Sequence, residues 1–204
     1  MSRIIVTLQA AVLLTAVGLT ATQAAPLERV AFDSATQRLA SGGLIRGDRI
    51  EGDLAKPDGA GPFPAVVGLH GCGGMHDTTK QKLVDELVGR GYVLLLVDSF
   101  ATRGIEHACG GGAFYASLTR RQDAYGALVF LARQAFVDPQ RVAAVGFSQG
   151  GWVALAVAEP DAFEQFIPAS DLRFRAAVAF NPPCKGAYAR PGIPTLVLIG
   201  ELDD

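Results

Sequence analysis

The chain has 204 residues, 50% of them hydrophobic and 19% charged, with a formal net charge of −2. That composition suits one globular domain with a sizeable core. Without any Lys/Arg run or basic stripe it gives no footing for a nucleic-acid partner.

The first residues read as a targeting segment. Arg3 supplies a short positive start, Ile4 to Leu19 is almost wholly apolar, and Ala21-Thr22-Gln23-Ala24-Ala25-Pro26 offers small residues for cleavage. This is the pattern of a secretory signal peptide over residues 1–24, cut after Ala24, because a cut after Ala25 would leave Pro26 at the new N-terminus. The competing reading is a membrane anchor, but the apolar run falls short of the roughly 20 residues that span a bilayer. Cleavage leaves residues 25–204 as the folded domain, in the periplasm or secreted, with no stable membrane span.

Leu27 to Gln37 is mixed and predicts no element. Arg46 to Lys56 alternates loosely and predicts an edge strand. Pro57 to Pro62 is a turn cluster. Ala65 to Leu69 is a continuous apolar run, as expected for a strand buried on both faces. Gly-rich His70-Gly71-Cys72-Gly73-Gly74 follows it. Thr78 to Arg90 predicts an amphipathic helix, with Leu83, Val84 and Leu87 on one face and Gly91 closing its C-terminus.

Tyr92 to Val97 is a second buried strand, ended by Asp98. Phe100 to Phe114 predicts a loop, and Leu118 to Gln134 a helix with Ala124, Ala127, Leu128 and Leu131 as its apolar stripe. Asp138-Pro139 breaks the pattern before a short strand at Arg141 to Val145. Gly150 to Ala158 predicts a helix packed through small residues. Arg175 to Phe180 and Pro194 to Ile199 are two further strands. Buried strands alternating with helices imply crossover units and a mostly parallel central sheet flanked by helices. In such sheets ligands sit beyond the carboxyl ends of the strands.

Three motifs fall at those ends. The first is Gly146-Phe147-Ser148-Gln149-Gly150, between a strand and a helix. A nucleophile elbow needs that context. The serine occupies a strained turn that tolerates almost no neighbouring side chains, and the helix N-terminus stabilises developing negative charge. The second is the loop at His70 to Gly74. Acyl transfer needs two N–H donors for a tetrahedral oxyanion. One is the backbone N–H of Gln149; the other comes from this loop, first Cys72 and second Gly71. His70 reads as a brace for the loop. The third is Leu196 to Asp204, where an acid after a strand would orient a histidine. Asp203 and Asp204 are both available, whereas the preceding strand ends at Asn181, which carries no acid.

These residues give the chain a resemblance to the dienelactone hydrolase family of α/β-hydrolases. Its carriers are Phe63 to Val67 leading into His70 to Gly74, then Val97 to Phe100, the Arg121–Asp123 helix, Gly146 to Gly151, and Gly200 to Asp203. The resemblance runs from about Arg46 to the last residue. It implies an α/β-hydrolase fold and Asp203 rather than Asp204 as the acid. The best-known members carry a cysteine nucleophile, while this chain has Ser148, which favours a broader esterase over dienelactone chemistry.

The same pattern leaves a gap. His70, His76 and His107 all precede Ser148, whereas the family's histidine follows one more helix and strand. The expectation is therefore a chain cut short at its C-terminus, lacking that last helix, strand and base, with an exposed strand edge and little turnover. A variant using His76 or His107 is the alternative.

Three cysteines in an oxidising compartment allow one disulfide and leave one thiol over. Cys109 and Cys184 both follow strands at the carboxyl end, so that pair is expected. No metal or organic cofactor is implied, since no ligand cluster or phosphate-binding glycine fingerprint is present. The expected partner is a small-molecule ester or lactone. The alternatives are a peptidase or acyltransferase with the same nucleophile, or a non-catalytic binding module on this scaffold.

Overall fold

The structure is a computed structural model and describes residues 26–110, 113–167, 172–183 and 191–203. The expected signal segment lies outside them. Among the described residues no helix is long and apolar enough to cross a membrane.

Seven strands form one sheet. They are β1 (Glu28–Asp33), β4 (Arg49–Ala55), β5 (Phe63–Leu69), β6 (Val93–Asp98), β7 (Val137–Phe147), β9 (Ala176–Phe180) and β10 (Thr195–Leu198). Their spatial order is β1-β4-β6-β5-β7-β9-β10. The β6-β5-β7-β9-β10 block is parallel, and β4 and β1 add to it antiparallel. Three short strands, β2 (Thr36–Arg38), β3 (Leu44–Ile45) and β8 (Phe166–Ile167), make a second small antiparallel sheet. The main helices are α1 (Asp77–Leu87), α2 (Ala113–Ala132) and α3 (Gln149–Val157).

The continuous apolar runs exist because both sheet faces are covered. Ala65, Val67 and Leu69 of β5 and Val93, Leu95 and Val97 of β6 pack in one cluster with Leu128 and Leu131 of α2 and Val153 and Val157 of α3. Their alternate neighbours Val66, Leu94 and Leu96 pack with Val84 of α1 on the other side. Period-two alternation sends successive residues to opposite faces. Leu95 is fully buried, and cutting it to Ala would cost about 2–5 kcal/mol.

Some boundaries differ from the sequence reading. The segment expected as an edge strand is β4, which pairs on both sides, and the sheet edge is β1. β1 has a mixed pattern because only one of its neighbours is a strand. Its Arg29 reaches across to Glu51 and Asp53 at 3.0 Å and Asp98 at 2.7 Å. β7 begins at Val137 rather than Arg141: Val137 pairs with Phe63, and the register then shifts before Val142 pairs with Ala65. Asp138-Pro139 interrupts the ladder without ending the strand. α2 begins at Ala113, before the expected Leu118. At the far edge, Leu196, Val197 and Leu198 of β10 are all 42–52% exposed, so both faces of that strand lie open.

Candidate active site

The carboxyl ends of β5, β7, β9 and β10 bring the three sequence motifs together. Ser148 links β7 to α3 with φ 51° and ψ −118°. Positive φ is uncommon outside glycine and marks a backbone held by its surroundings. Two hydrogen bonds hold it: its N–H donates to Phe180 O at 2.8 Å, and its C=O accepts from Trp152 N–H at 3.1 Å. The glycines on either side are sterically required. A Cβ on Gly146 would fall on the Gly150 carbonyl, and a Cβ on Gly150 on the carbonyls of Leu69 and His70. Ser148 is exposed.

The loop after β5 lies against this turn. A Cβ built on Gly71 would stand 3.5 Å from Ser148 Cβ and 3.4 Å from Phe147 O. The loop's own hydrogen bonds fall on its carbonyl oxygens. Gly71 O accepts from His70 Nδ1 at 2.7 Å and from Gly74 N–H at 3.2 Å, and Cys72 O accepts from Ala108 N–H at 2.7 Å. Gln149 is the first residue of α3.

His70 is a brace, as its position suggested. Its ring is 2% exposed, Nδ1–H donates to Gly71 O, and Nε2 accepts from Ser99 N–H at 3.2 Å. Those two bonds define a neutral tautomer. Burial, with the Arg120 charge behind it, pushes the imidazole down to about 4 despite the Gly71 hydrogen bond. His76 and His107 are exposed, and neither is hydrogen-bonded to Ser148.

Asp203 follows β10. Its Oδ2 accepts from Asn181 Nδ2, and its N–H donates to Gly200 O at 3.1 Å. Asn181 follows β9 with φ 45° and donates its N–H to Leu198 O at 2.7 Å. The residue that the sequence offered only as a missing acid is thus the partner of the expected one. Asp204 lies outside the described residues.

The disulfide differs from expectation. Cys109 is bonded to Cys72, with their Cα atoms 4.9 Å apart, and not to Cys184. Topology explains the choice. β5 and β6 are neighbours, so the loops that follow them meet, and the Ala108–Cys72 backbone bond pins the crossing. Cys184 follows β9, which is separated from β6 by β5 and β7. Cys184 itself lies outside the described residues.

Two buried groups escaped the sequence reading. Arg120 is 1% exposed and donates through Nη1 to Gln149 Oε1 at 2.8 Å and through Nη2 to His70 O. Asp123 is fully buried and takes both Arg103 Nη atoms at 2.8 Å together with Ser34 Oγ. The only available signal was a pair of charges on the buried side of a helix. A cavity of about 250 Å³ lies beside the His70–Gly74 loop, lined by His70, Gly73, Met75, Asp98 and Phe100 but not by Ser148. Among the described residues no three His, Cys or carboxylate side chains gather as a metal would need.

The model of the dienelactone hydrolase family matches residues 50–191. The chain belongs to the dienelactone hydrolase family. A search of curated proteins finds no match. Among solved structures, esterase Est22 superposes with a TM-score of 0.55 at 17% identity, over 82% of this chain and 46% of that one. A Klebsiella pneumoniae protein assigned as a dienelactone hydrolase gives 0.53 at 18%, over 81% and 65%. The acylaminoacyl peptidase of Pyrococcus horikoshii gives 0.51 at 19%, over 79% and 24%. At these identities the likeness establishes the α/β-hydrolase fold. The chain spans between about a quarter and two thirds of the length of those neighbours.

Proposed function

We propose that this family member cleaves carboxylic esters or lactones through an acyl-enzyme on Ser148. The observation that carries the reading is the exposed Ser148 at positive φ, flanked by glycines that admit no side chain and faced by Gly71. Ser148 Oγ attacks the carbonyl carbon. The oxyanion takes the N–H of Gln149 and one from the loop, Cys72 first and Gly71 second. Collapse, with the serine proton passed through a base to the leaving oxygen, frees the ester alcohol or opens the lactone ring and leaves the acyl group on Ser148, and water then releases the acid.

Attack needs a proton acceptor. His70 is held neutral by two hydrogen bonds facing away from that task, and neither His76 nor His107 is bonded to Ser148. The Asn181 hydrogen bond to Asp203 supports reading Asp203 as the acid that would orient such a base. A disulfide on the oxyanion loop supports an oxidising setting, periplasmic or secreted, since such bonds persist there.

The test uses the native gene product, a fluorophosphonate probe and nitrophenyl esters. Labelling should map to Ser148 and vanish in Ser148→Ala together with ester turnover. A protein that neither labels nor turns over would instead be a binding module. Faster cleavage of peptide anilides than of esters would move the assignment to a peptidase.

A further inference from the structure

Arg120 lies on α2 beneath the candidate oxyanion hole and is among the largest fully buried side chains of the protein. Buried charges are ordinarily paired. Among the described residues Arg120 has no carboxylate in salt-bridge range: Asp123, one turn on, is taken by Arg103. Its Nε has no hydrogen-bond partner. Its guanidinium stands 5.5 Å from the Phe100 ring centre, and Phe100 meets the His70 ring edge-on at 4.4 Å.

The two acceptors of Arg120 are specific. One is Gln149 Oε1, the side chain of the residue whose backbone N–H is one oxyanion donor. The other is the His70 carbonyl. In a trans peptide the C=O and N–H of one unit point in opposite directions. The His70 carbonyl shares its peptide unit with the Gly71 N–H. A cation donating to that carbonyl therefore polarises the Gly71 amide and fixes its direction. The Gly71 carbonyl, in the next unit, is held by His70 Nδ1, and that unit carries the Cys72 N–H. One guanidinium thus reaches both halves of the hole, Gln149 directly and the loop through His70.

We infer that Arg120 is a positioning residue for the oxyanion hole, aligning the Gln149 amide with the Gly71–Cys72 loop and adding a fixed positive charge behind them. The inference rests on the Ser148 reading above. Arg120 does not touch substrate. Desolvation lowers its pKa to about 10, which leaves it protonated at neutral pH. A preorganised cation in a water-poor site favours developing negative charge more than a neutral substrate. Its removal should therefore appear in kcat and not in KM.

The test compares the parent gene product with Arg120→Met and Gln149→Leu. In Arg120→Met, kcat should fall about 10- to 100-fold, a step below or at the loss of a direct donor, with KM within about threefold. An arylboronic acid, which forms a tetrahedral anionic adduct on serine, should bind about tenfold more weakly to it. An uncharged, non-reacting substrate analogue should bind as to the parent. Gln149→Leu removes only one prong and should lower kcat about three- to tenfold; it also decides the matter if Arg120→Met does not fold. Unchanged kcat and boronate affinity in a folded variant, or equal weakening of boronate and analogue, would overturn the role of Arg120 and leave Ser148 standing. A parent protein with no Ser148-dependent turnover or adduct would overturn the Ser148 reading and the role of Arg120 with it.

Discussion

The Ser148 amide and the Phe180 carbonyl are joined at 2.8 Å across the β7–β9 boundary. The next residue, Asn181, donates its side chain to Asp203. One strand end therefore carries the backbone of the proposed nucleophile on one side and the carboxylate of the proposed acid on the other. Asn181→Gly tests that link with little backbone penalty, because glycine accepts the observed φ of 45°. It should lower kcat about tenfold and change unfolding free energy by under about 1 kcal/mol, the scale of one lost hydrogen bond. Paired ester kinetics and urea denaturation check it. Full activity in Asn181→Gly would remove Asp203 from its assigned role.

Gly150 is a stricter constraint. Its missing side chain is what lets α3 start against the Leu69 and His70 carbonyls. Gly150→Ala should destabilise the protein by about 1–3 kcal/mol through overpacking and abolish fluorophosphonate labelling, because the turn must open to admit the methyl. Gly73→Ala has open space around it and should leave stability within about 0.5 kcal/mol. Equal stability losses at the two positions, measured by thermal unfolding, would contradict this steric account.

The parallel core was legible because both-face burial writes itself as unbroken apolar runs, as at Ala65–Leu69 and Tyr92–Val97. The tight turn at Ser148 was legible because its steric demand selects glycine at Gly146 and Gly150. β1 and the small sheet were not: Glu28–Asp33 is mostly exposed and held by the later strand Arg49–Ala55, and Leu44–Ile45 is two exposed residues paired with Gln37–Arg38, too short for a periodic signal. The contacts of Arg120 and Asn181 were hidden for a related reason. Each depends on a contact between residues 22 to 50 positions apart, and one sequence without its fold carries no sign of such a pairing. The disulfide was misjudged because the sequence gives the strand ends but not their spatial order.

The Cys72–Cys109 bond closes a loop with a sequence separation of 37. Chain-entropy arguments put its contribution near 4 kcal/mol, with about 2–4 typical. Cys109→Ser should lower the urea midpoint accordingly while leaving the Cys72 backbone in place. It should also slow ester turnover, since the Cys72 end of the loop would then be tethered to the segment after β6 by the Ala108–Cys72 backbone bond without the covalent link. Non-reducing digestion should yield a Cys72–Cys109 linked peptide. Recovery of a Cys109–Cys184 peptide, or a midpoint indifferent to dithiol reductant, would count against this pairing.

His70 gives the fold a dependence on pH separate from catalysis. Its pKa falls from an ordinary 6.5 to about 4, chiefly because burial disfavours the imidazolium. Between those values the unfolded chain binds a proton that the folded chain does not. Stability therefore rises with pH through this window. The contribution is fully present above about pH 6.5 and is lost as pH falls toward 4. Asp53 and Asp98 behave differently. Burial disfavours their charge, but hydrogen bonds from Lys80 and Arg29 to Asp53, and from Arg29 and the Ala101 and Phe100 amides to Asp98, outweigh it and hold both carboxyls below the usual range. Their share is lost only at lower pH, as they protonate. Lowering pH from 7 to 4.5 should thus cost about 2–3 kcal/mol at His70, by 1.36 kcal/mol per unit of displacement. Urea denaturation at the two pH values reads this directly. His70→Asn should be less stable at pH 7 yet lose markedly less on acidification, because Asn at position 70 has no proton to gain. A parent protein whose midpoint is flat from pH 7 to 4.5, or a variant with the same slope as the parent, would show that His70 is not the neutral brace its two hydrogen bonds describe.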